Sequence, residues 1–329
     1  MESVFVTGAD GLLGSNLVRE LIARNFEVTA MIQKGREPVT IKDLPVKKVV
    51  GDITSPQDVK NLSKGFDYFM HVAALTDMWP SRGGNHFLIN VEGTKNVINA
   101  ALENEIKRLI HVGSASSFGY GCLTNPGDEV SLYKSYKYNL DYMDSKQKAH
   151  ELVVTAVKKD SLPALIVCPT FMIGPYDVRP SSGALVLALA KKKLPFLPSG
   201  GKNWASVKDV AVASCNALTK GRNGESYILG GENLSYKDAV RRMANAIDLK
   251  YYPRVVMPDF LMKGIGFLGS TFSPLTQNPP KLSYSMARVA CDHHYFSSAK
   301  AIQELDLPQT PIEIATQELH HWFIENHYL

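Results

Sequence analysis

The first half of the chain alternates short apolar runs with amphipathic helical patterns. The runs are rich in β-branched and aromatic residues, and they include SVFVTG, FEVTAMI, VKKVVG, FDYFMHVAA, RLIHVGS and PALIVCP. Between them, segments such as GLLGSNLVRELIARN and NVEGTKNVINAALEN repeat apolar residues at helical spacing. Strands that alternate with helices form parallel βαβ units, so the sequence predicts an α/β fold built on a doubly wound parallel sheet.

Composition and charge exclude several classes of protein. The 329 residues are 45% hydrophobic and 21% charged with a formal charge of +4, and no basic stripe interleaves with aromatics, so we expect no nucleic-acid partner. No run of 18 apolar residues occurs, and the first strand already starts at the N-terminus. We therefore expect no stable membrane insertion, no signal peptide and a cytoplasmic location. The cysteines lack CxxC spacing and are predicted to be reduced core thiols: Cys122, Cys168, Cys215 and Cys291.

A glycine triplet lies between the first strand and the first helix, in VTGADGLLG. Gly8 permits the tight turn, Gly11 lets the backbone approach a pyrophosphate, and Gly14 lets the helix pack on the strand. The helix N-terminus supplies N–H groups for the phosphates. The sequence thus predicts a Rossmann dinucleotide site, the alternative being a glycine-rich turn without a ligand. Its cofactor-binding residues are expected to be Gly8, Ala9, Asp10, Gly11, Leu12, Leu13 and Gly14.

The end of the second strand indicates which dinucleotide binds. An NAD site places a carboxylate there, whereas this chain has Lys34 and Arg36 in AMIQKGREP. These cations would pair with a 2′-phosphate, so NADP is favoured over NAD, although two surface cations can also be merely solvated. After the third strand, Asp52 and Ile53 are predicted to lie near the adenine. Asp52 could equally be a helix cap.

Beyond Pro169 the strand–helix alternation ends. TFMIGPYDVRPSSG is predicted to be loop, and residues 251–285 form an apolar stretch interrupted by prolines, with little periodicity. We expect a dinucleotide-binding lobe of residues 1–168 plus about 206–230. A smaller, mixed C-terminal substrate lobe would comprise about 169–205 plus 231–329. It would cover the strand ends, where open α/β sheets bind their ligands.

Taken together, the motifs resemble those of the extended short-chain dehydrogenases/reductases. The chain is most similar to the dihydroflavonol reductase-like branch of the NAD(P)-dependent epimerase/dehydratase group. The resemblance runs nearly end to end through HVAA, NVEGTKNV, CPTFMIGPYD, SVKDVAVA, YILGGENLS and FSSAKAIQELDL. It implies further cofactor contacts from Val72, Ala73 and Ala74, and from Pro169 and Met172 beside the nicotinamide. Met172 replaces the family's valine, which weakens that last assignment.

Two tyrosine–lysine pairs have the family's catalytic spacing. YMDSKQKAHE continues as the family motif does, so the resemblance assigns catalysis to Tyr142 and Lys146. YKSYK lacks that continuation, and Tyr133 and Lys137 are predicted to be loop residues near the cleft mouth. Positions i and i+4 share a helix face, so the Lys146 ammonium is expected to lower the pKa of the Tyr142 phenol. Tyr142 would then pass a proton to a carbonyl oxygen as hydride arrives.

A hydroxyl donor is expected at the end of the fifth strand, in HVGSASSFG. The resemblance places Ser114 in the catalytic position, where it would hold the substrate carbonyl. Ser116 lies on the same side and is the alternative; a purely structural serine is the third reading. Ala115 and Ser116 stand where sugar-nucleotide dehydratases carry an aspartate and a glutamate, so dehydration is not expected.

Bulky apolar residues are expected to line the substrate cleft. They are Met78, Trp79, Phe118 and Phe171, with Leu185 and Trp204 in the same group, although several could simply fill the inter-lobe core. Apolar walls favour NADPH-dependent reduction of a hydrophobic ketone or aldehyde. Two alternatives stay open: a nucleotide-sugar epimerase with bound NAD(P), and a non-catalytic NADP-binding protein. A monomer or homodimer is expected, with residues 251–285 in the substrate lid, where they would touch membrane lipid if the substrate is lipid-like.

Overall fold

The computed structural model describes residues 1–276 and 278–329, and of residues 274–276 only the backbone. A seven-stranded, all-parallel sheet has the order β3–β2–β1–β4–β5–β6–β9. The predicted doubly wound sheet is therefore confirmed. In chain order the strands are β1 Ser3–Thr7, β2 Glu27–Ile32, β3 Lys47–Val50, β4 Tyr68–His71, β5 Arg108–Val112, β6 Ala164–Pro169, β7 Phe171–Ile173, β8 Gly201–Ser206, β9 Ser226–Leu229, β10 Glu232–Ser235 and β11 His293–His294.

Helices cover both faces of this sheet. They are α1 Leu12–Ala23, α2 Pro56–Leu62, α3 Gly93–Glu103, α4 Asp141–Asp160, α5 Ala184–Ala190, α6 Val207–Asn216, α7 Tyr236–Ala246, α8 Asp259–Thr276, α9 Tyr284–Cys291, α10 Ala299–Leu305 and α11 Ile312–Glu325. On one face Leu17 of α1 and Val210 of α6 pack against Val6. On the other, Val97 of α3 and Val153 of α4 share a core with sheet residues. Alternate side chains of each strand enter the two cores, so both faces are apolar.

The smaller lobe is built on a mixed sheet of β7, β8, β10 and β11. Strand β8 pairs in parallel with β7 and β11 and antiparallel with β10. Trp204 of β8 lies in a core with Val240 of α7 and Leu319 of α11. The expected mixed architecture is thus present, and β7 begins two residues after β6 of the large sheet ends.

One element differs from the expectation of loop. β7 lies inside TFMIGPYDVRPSSG, and α5 and β8 follow it. The local sequence is rich in glycine and proline, but pairing of β7 with β8 fixes an extended backbone that propensity alone does not favour. Of the cysteines, Cys168, Cys215 and Cys291 are buried free thiols, whereas Cys122 is exposed, contrary to the expectation of four core thiols.

The apolar stretch at residues 251–285 contains α8. Its inward positions are apolar or small and its outward positions are large and apolar, so no polar face reveals the helical period in the sequence. Residue 277 of this stretch lies outside the described residues. Within the described chain, no helix combines the length and the apolar character that crossing a membrane requires.

Candidate active site

The glycine loop is packed directly against the end of β4. Gly8 has a φ of +69°, and a Cβ there would lie 2.6 Å from the Ala73 backbone nitrogen. A Cβ on Gly14 would overlap the Gly8 carbonyl oxygen and lie 2.8 Å from the Ala9 Cα. At Gly11 the sole neighbour within 4 Å would be the Gly8 oxygen, at 3.5 Å. Two glycines are thus required by close backbone packing, and the third leaves room for a ligand to approach.

The first turn of α1 suits a phosphate group. Gly11 is the N-cap, no side chain caps the helix, and no acidic residue lies in its first turn. The free N–H groups and the positive end of the helix dipole therefore face the space above the loop. Val72, Ala73 and Ala74 follow β4 and are half-buried beside it. This cradle fits the pyrophosphate of a dinucleotide, as the glycine spacing predicts.

Lys34 and Arg36 occupy the turn after β2. Lys34 is exposed, while Arg36 is half-buried and its Nε lies 2.5 Å from the Asp10 carboxylate. Asp10 belongs to the glycine loop and its side chain is mostly buried, so this ion pair joins the loop to the turn. The guanidinium is thereby held at the edge of the dinucleotide site, which the sequence did not indicate.

Asp52 and Ile53 lie where the third strand ends. One Asp52 oxygen accepts hydrogen bonds from the Thr54 N–H and hydroxyl, both at 2.8 Å. The N-cap of α2 is Ser55, so the reading of Asp52 as the helix cap is wrong. Ile53 is buried, and a Cβ on Gly93 of α3 would lie 3.1 Å from it.

Lys146 projects from α4 into the buried end of β5. Its Nζ donates a 2.6 Å hydrogen bond to the Val112 carbonyl oxygen, and the residue is 4% exposed. Burial lowers the pKa of Lys146 to about 8, with a small opposing effect of Cys168. The ammonium therefore resides in an apolar site where deprotonation is unusually easy for a lysine.

Tyr142 lies one helical turn earlier and is half-buried. Burial raises the pKa of its phenol, and a hydrogen bond with Ser114 acts in the opposite direction. The expectation that Lys146 lowers this pKa is not met here, because the Lys146 ammonium is directed to the Val112 carbonyl. A phenol that keeps its proton is suited to donating it.

Ser114 and Ser116 both lie at the end of β5 and are bonded to each other. Their hydroxyl oxygens are 2.8 Å apart, and the Ser116 N–H donates to the Ser114 oxygen at 3.2 Å. Ser114 is 9% exposed and also contacts Tyr142. Ser114 thus lies beside Tyr142 and Ser116, and Lys146 follows Tyr142 by one turn of α4.

The second tyrosine–lysine pair is engaged elsewhere. The Tyr133 hydroxyl donates to the Asp144 carboxylate at 2.5 Å, which together with burial raises its pKa. Lys137 forms a 2.7 Å ion pair with Asp292 and lies over the Tyr138 ring. Both residues therefore hold the segment that precedes α4.

Sequence reasoning missed the buried polar groups that support α4. The Asn90 side chain donates to the Ser145 hydroxyl at 2.9 Å. Its amide also accepts a hydrogen bond from the Leu75 N–H and donates one to the Leu75 carbonyl oxygen. His71 lies between the Thr7 and Thr94 hydroxyls at 2.8 and 3.0 Å. Polar residues inside otherwise apolar motifs, as in FMHVAA and NVEGTKNV, were the available signal.

Burial keeps the histidines of this layer neutral. It lowers the pKa of His71 to about 3 and that of His150 to about 4, with nearby Lys146 acting in the same direction on both. Burial also lowers the pKa of His111, whose ring centroid lies 5.2 Å from that of His71. Lys146 is therefore bordered by neutral imidazoles rather than by charges.

Met78 is a predicted substrate residue that shares an apolar cluster with Tyr142. It packs with half-buried Tyr142 against Tyr138 and Met143, in a cluster that Val289 of α9 completes. Trp79 follows it and is also half-buried. This cluster gives the phenol an apolar neighbourhood.

Two of the other expected cleft residues are core residues instead. Phe118 is 7% exposed and packs edge-on against His150 at 5.2 Å, so its assignment to the substrate site is wrong. The short turn at Ala115–Ser117 packs on α4 and carries this side chain beneath the helix. Trp204 is fully buried and donates to the Leu234 carbonyl oxygen.

The remaining predicted residues line the junction of the two sheets. Phe171 is half-buried, 5.0 Å edge-on from Trp204, and Leu185 packs on the same core. Pro169 is buried at the end of β6, and Met172 is half-buried against the large core. Pro169, Phe171 and Met172 lie where the large sheet passes into the small one.

Comparison with known proteins agrees with this geometry. The family model described as "NAD dependent epimerase/dehydratase family" matches residues 4–230. A protein of Synechocystis sp., provisionally named a dihydroflavonol 4-reductase, is 29% identical to this chain. The match covers 98% of this chain and 94% of that protein. Sterol demethylase protein B of Methylococcus capsulatus is 27% identical over 98% of both chains. The 2-alkyl-3-oxoalkanoate reductase of Shewanella oneidensis is 28% identical, over 91% of this chain and 80% of that protein.

Solved structures show the same fold. The crystal structure of gox2253 is 28% identical and has a TM-score of 0.87 over the whole of both chains. The enzyme WbmH of Bordetella bronchiseptica in complex with NAD+ is 20% identical, with a TM-score of 0.76 over 99% of each chain, and it supports the fold alone. With most of its length matched by the family model and a glycine cradle that fits the pyrophosphate, the chain belongs to the NAD-dependent epimerase/dehydratase family and is an NAD(P)-dependent oxidoreductase.

Proposed function

We propose that the protein reduces the carbonyl group of a hydrophobic ketone or aldehyde, with NADPH as the hydride donor. The observation that carries the proposal is the position of Tyr142. It contacts Ser114, it packs against the same apolar cluster as Met78, and buried Lys146 lies one helical turn after it. When bound, the dinucleotide supplies the hydride. The chain supplies the proton and the groups that position the carbonyl.

Each catalytic residue has a distinct role in this proposal. Tyr142 keeps its proton, because burial raises its pKa, and transfers it to the oxygen that becomes the alcohol. Ser114 donates a hydrogen bond to the same oxygen and so stabilises the developing negative charge. Lys146 is fixed by the Val112 carbonyl and would provide a positive charge and hydrogen bonds for the nicotinamide ribose.

The apolar surroundings favour a lipophilic substrate over a nucleotide sugar. Tyr142 lies in a cluster with Met78, Tyr138 and Val289, which is apolar apart from the tyrosine hydroxyls. Phe171 of the smaller lobe and Trp79 of the larger lobe would extend this apolar surface. Relatives named for reduction of an alkyl oxoalkanoate and for sterol demethylation are in keeping with such a substrate.

NADPH is the proposed cofactor because two cations follow β2. Arg36 is held by Asp10, and Lys34 is exposed beside it. A 2′-phosphate would gain charge-assisted hydrogen bonds from both. The double variant Lys34→Ala/Arg36→Ala is expected to weaken NADPH binding at least about tenfold more than NADH binding. Equal effects on the two cofactors, measured by calorimetry, would reject the NADP assignment.

The activity is tested with purified protein, NADPH and a panel of aryl and alkyl ketones. We expect stoichiometric loss of NADPH absorbance and a fall of at least about 100-fold in kcat for Tyr142→Phe. Tyr133→Phe is the matched control, since it removes a hydroxyl bound to Asp144, and it should retain turnover. Full turnover by Tyr142→Phe would refute its role as the proton donor.

A nucleotide-sugar epimerase is the second candidate. Half-buried Arg288 lies 5.8 Å from the Tyr138 ring, next to the Tyr142 cluster, where it could hold a diphosphate. An epimerase would interconvert UDP- or GDP-sugars without net NADPH loss. We further infer a cytoplasmic monomer or homodimer in which residues 169–205 and 231–329 form the substrate lobe.

A further inference from the structure

Helix α8 presents an exposed face made of large apolar side chains. Phe260, Phe267 and Phe272 are 73%, 58% and 54% exposed, and Leu261, Ile265 and Leu268 are exposed between them. At 100° per residue these six positions, with Gly264 and Thr271, fall within one side of the helix. Exposed faces of helices in soluble proteins are ordinarily polar, so this face requires a partner.

The opposite side of α8 is fixed to the body of the protein. Met262 is buried with Ala287 and Cys291 of α9. A Cβ on Gly266 would lie 2.7 Å from the Ala287 Cβ, and one on Gly269 would lie 2.5 Å from the Leu282 carbonyl oxygen. These glycines let α8 lie close against α9. The apolar face of α8 therefore points outward while the opposite face of the helix is packed against the protein. It is not a core face exposed by detachment of the helix.

Charge distinguishes this region from the rest of the chain. From Lys250 to the end of α9, residues 250–291 contain five basic residues and one acidic residue, a net charge of +4. The whole chain also has a net charge of +4, so the remaining residues are balanced at 31 basic and 31 acidic. The single carboxylate, Asp259, is paired with Lys263 at 3.2 Å.

The basic residues flank the apolar face at both ends. Arg254 is exposed before α8, and Lys281 is exposed after it. Between residues 264 and 280 the sequence carries no charge at all. An apolar helix face bordered by lysine and arginine is the pattern of a helix that lies in the plane of a bilayer surface.

We propose that α8 docks the protein on the surface of an anionic lipid bilayer, with Phe260, Phe267 and Phe272 inserted among the lipids. The helix lies on the membrane and does not cross it, in accordance with the finding on spanning helices above. A second copy of this chain is a poorer occupant, because a two-fold interface would bring the two +4 regions together. Anionic headgroups complement that charge.

The site lies beside the proposed catalytic cluster. Val289 belongs to α9, on which α8 packs, and it contacts the cluster that contains Tyr142. Docking would thus place the reaction site near the lipid surface. Docking depends on the exposed apolar face and the local charge of α8, and it does not require the reductase reaction.

Vesicle co-sedimentation of the full chain tests the proposal. Wild-type protein is expected to pellet with vesicles of phosphatidylcholine mixed with phosphatidylglycerol, and less with phosphatidylcholine alone. The variant Phe260→Gln/Phe267→Gln/Phe272→Gln should lower the partition coefficient at least about tenfold. Ile314→Gln/Ile324→Gln, on exposed positions of α11, is the matched control and should change it less than about twofold.

A charge variant separates the two contributions. Arg254→Glu/Lys281→Glu should reduce binding to the anionic vesicles and leave the weak binding to neutral vesicles unchanged. Circular dichroism melting checks that every variant is folded. Wild-type protein that stays in the supernatant with anionic vesicles, or a triple variant that pellets as well as wild type, would overturn the proposal. A concentration-dependent dimer abolished by the triple variant, without vesicle binding, would assign the face to self-association instead.

Discussion

Replacing Lys146 with methionine should make the protein without cofactor more stable while it removes the activity. Lys146 is 4% exposed, and burial lowers its pKa from 10.5 to about 8. At about 1.4 kcal/mol for each pKa unit, holding the ammonium in this site costs about 3 kcal/mol near pH 7. Methionine keeps the length of the side chain and carries no charge.

The lost hydrogen bond opposes this gain. Lys146 Nζ donates to the Val112 carbonyl oxygen at 2.6 Å, and removing it costs about 1.5 kcal/mol. The net expectation is that Lys146→Met raises the free energy of unfolding by about 1.5–2 kcal/mol near pH 7. Turnover should fall by at least about 100-fold, because the positive charge proposed for the nicotinamide ribose is gone.

The stability difference between wild type and Lys146→Met should depend on pH in a defined direction. Below about 8 the lysine is protonated in both folded and unfolded states, and the full cost of burial is present. Between about 8 and 10.5 the unfolded chain holds more protons than the folded one, so wild-type stability rises with pH. The advantage of the variant should therefore shrink to nearly zero at about pH 9.5.

Urea unfolding of the cofactor-free protein at the two pH values measures this difference. Lys148→Met is the matched control, because Lys148 is exposed and paired with Glu151, and its effect should be small at both values. A Lys146→Met protein that is less stable than wild type at both pH values would refute the reasoning. So would a stability difference that does not change with pH.

Three further predictions concern the dinucleotide site, the serine donor and the buried histidines. Gly14→Ala should weaken dinucleotide binding by about 10- to 100-fold in calorimetry, since its Cβ would overlap the Gly8 carbonyl oxygen; Gly264→Ala, which has no neighbour within 4 Å, should leave the affinity unchanged. Ser114→Ala should lower kcat by about 100-fold and Ser116→Ala by far less, and the reverse order in steady-state kinetics would transfer the role to Ser116. The histidines at 71 and 150 are neutral when folded but bind protons below 6.5 when unfolded, so each should cost about 1.4 kcal/mol of stability for every pH unit from 6.5 down to its folded pKa, about 3 for His71 and about 4 for His150. Equal urea midpoints at about pH 7 and pH 5 would contradict this assignment.

Much of the site could be predicted because its signals are local. The glycines at 8 and 14 are needed for contacts with their own loop and with the strand beside it, so their spacing carries the fold. The Tyr142 and Lys146 pair is set by one helix turn and is recognisable from a short motif. The protonation of Tyr142 was not predictable, because it depends on burial and on where the Lys146 ammonium is directed.

Side chains whose role depends on distant packing were assigned less well. Phe118 follows a predicted strand and Trp204 lies in a segment without one, and at such aromatic positions sequence cannot distinguish a cleft wall from a core contact. The Arg36–Asp10 ion pair joins two loops that are adjacent only once β1 and β2 are paired. Such contacts become visible only in the folded chain.

The sequence by itself determined the doubly wound sheet, the glycine cradle and the family, because strand–helix alternation and glycine spacing reflect backbone geometry over a few residues. Tertiary structure alone decided that 251–285 contains a helix with an apolar face turned outward, since both of its sides are apolar and give no period. It also decided which hydroxyls, histidines and aromatics surround the lysine of α4. Those neighbours come from strands far apart in the chain, and burial there sets the charge each group can carry.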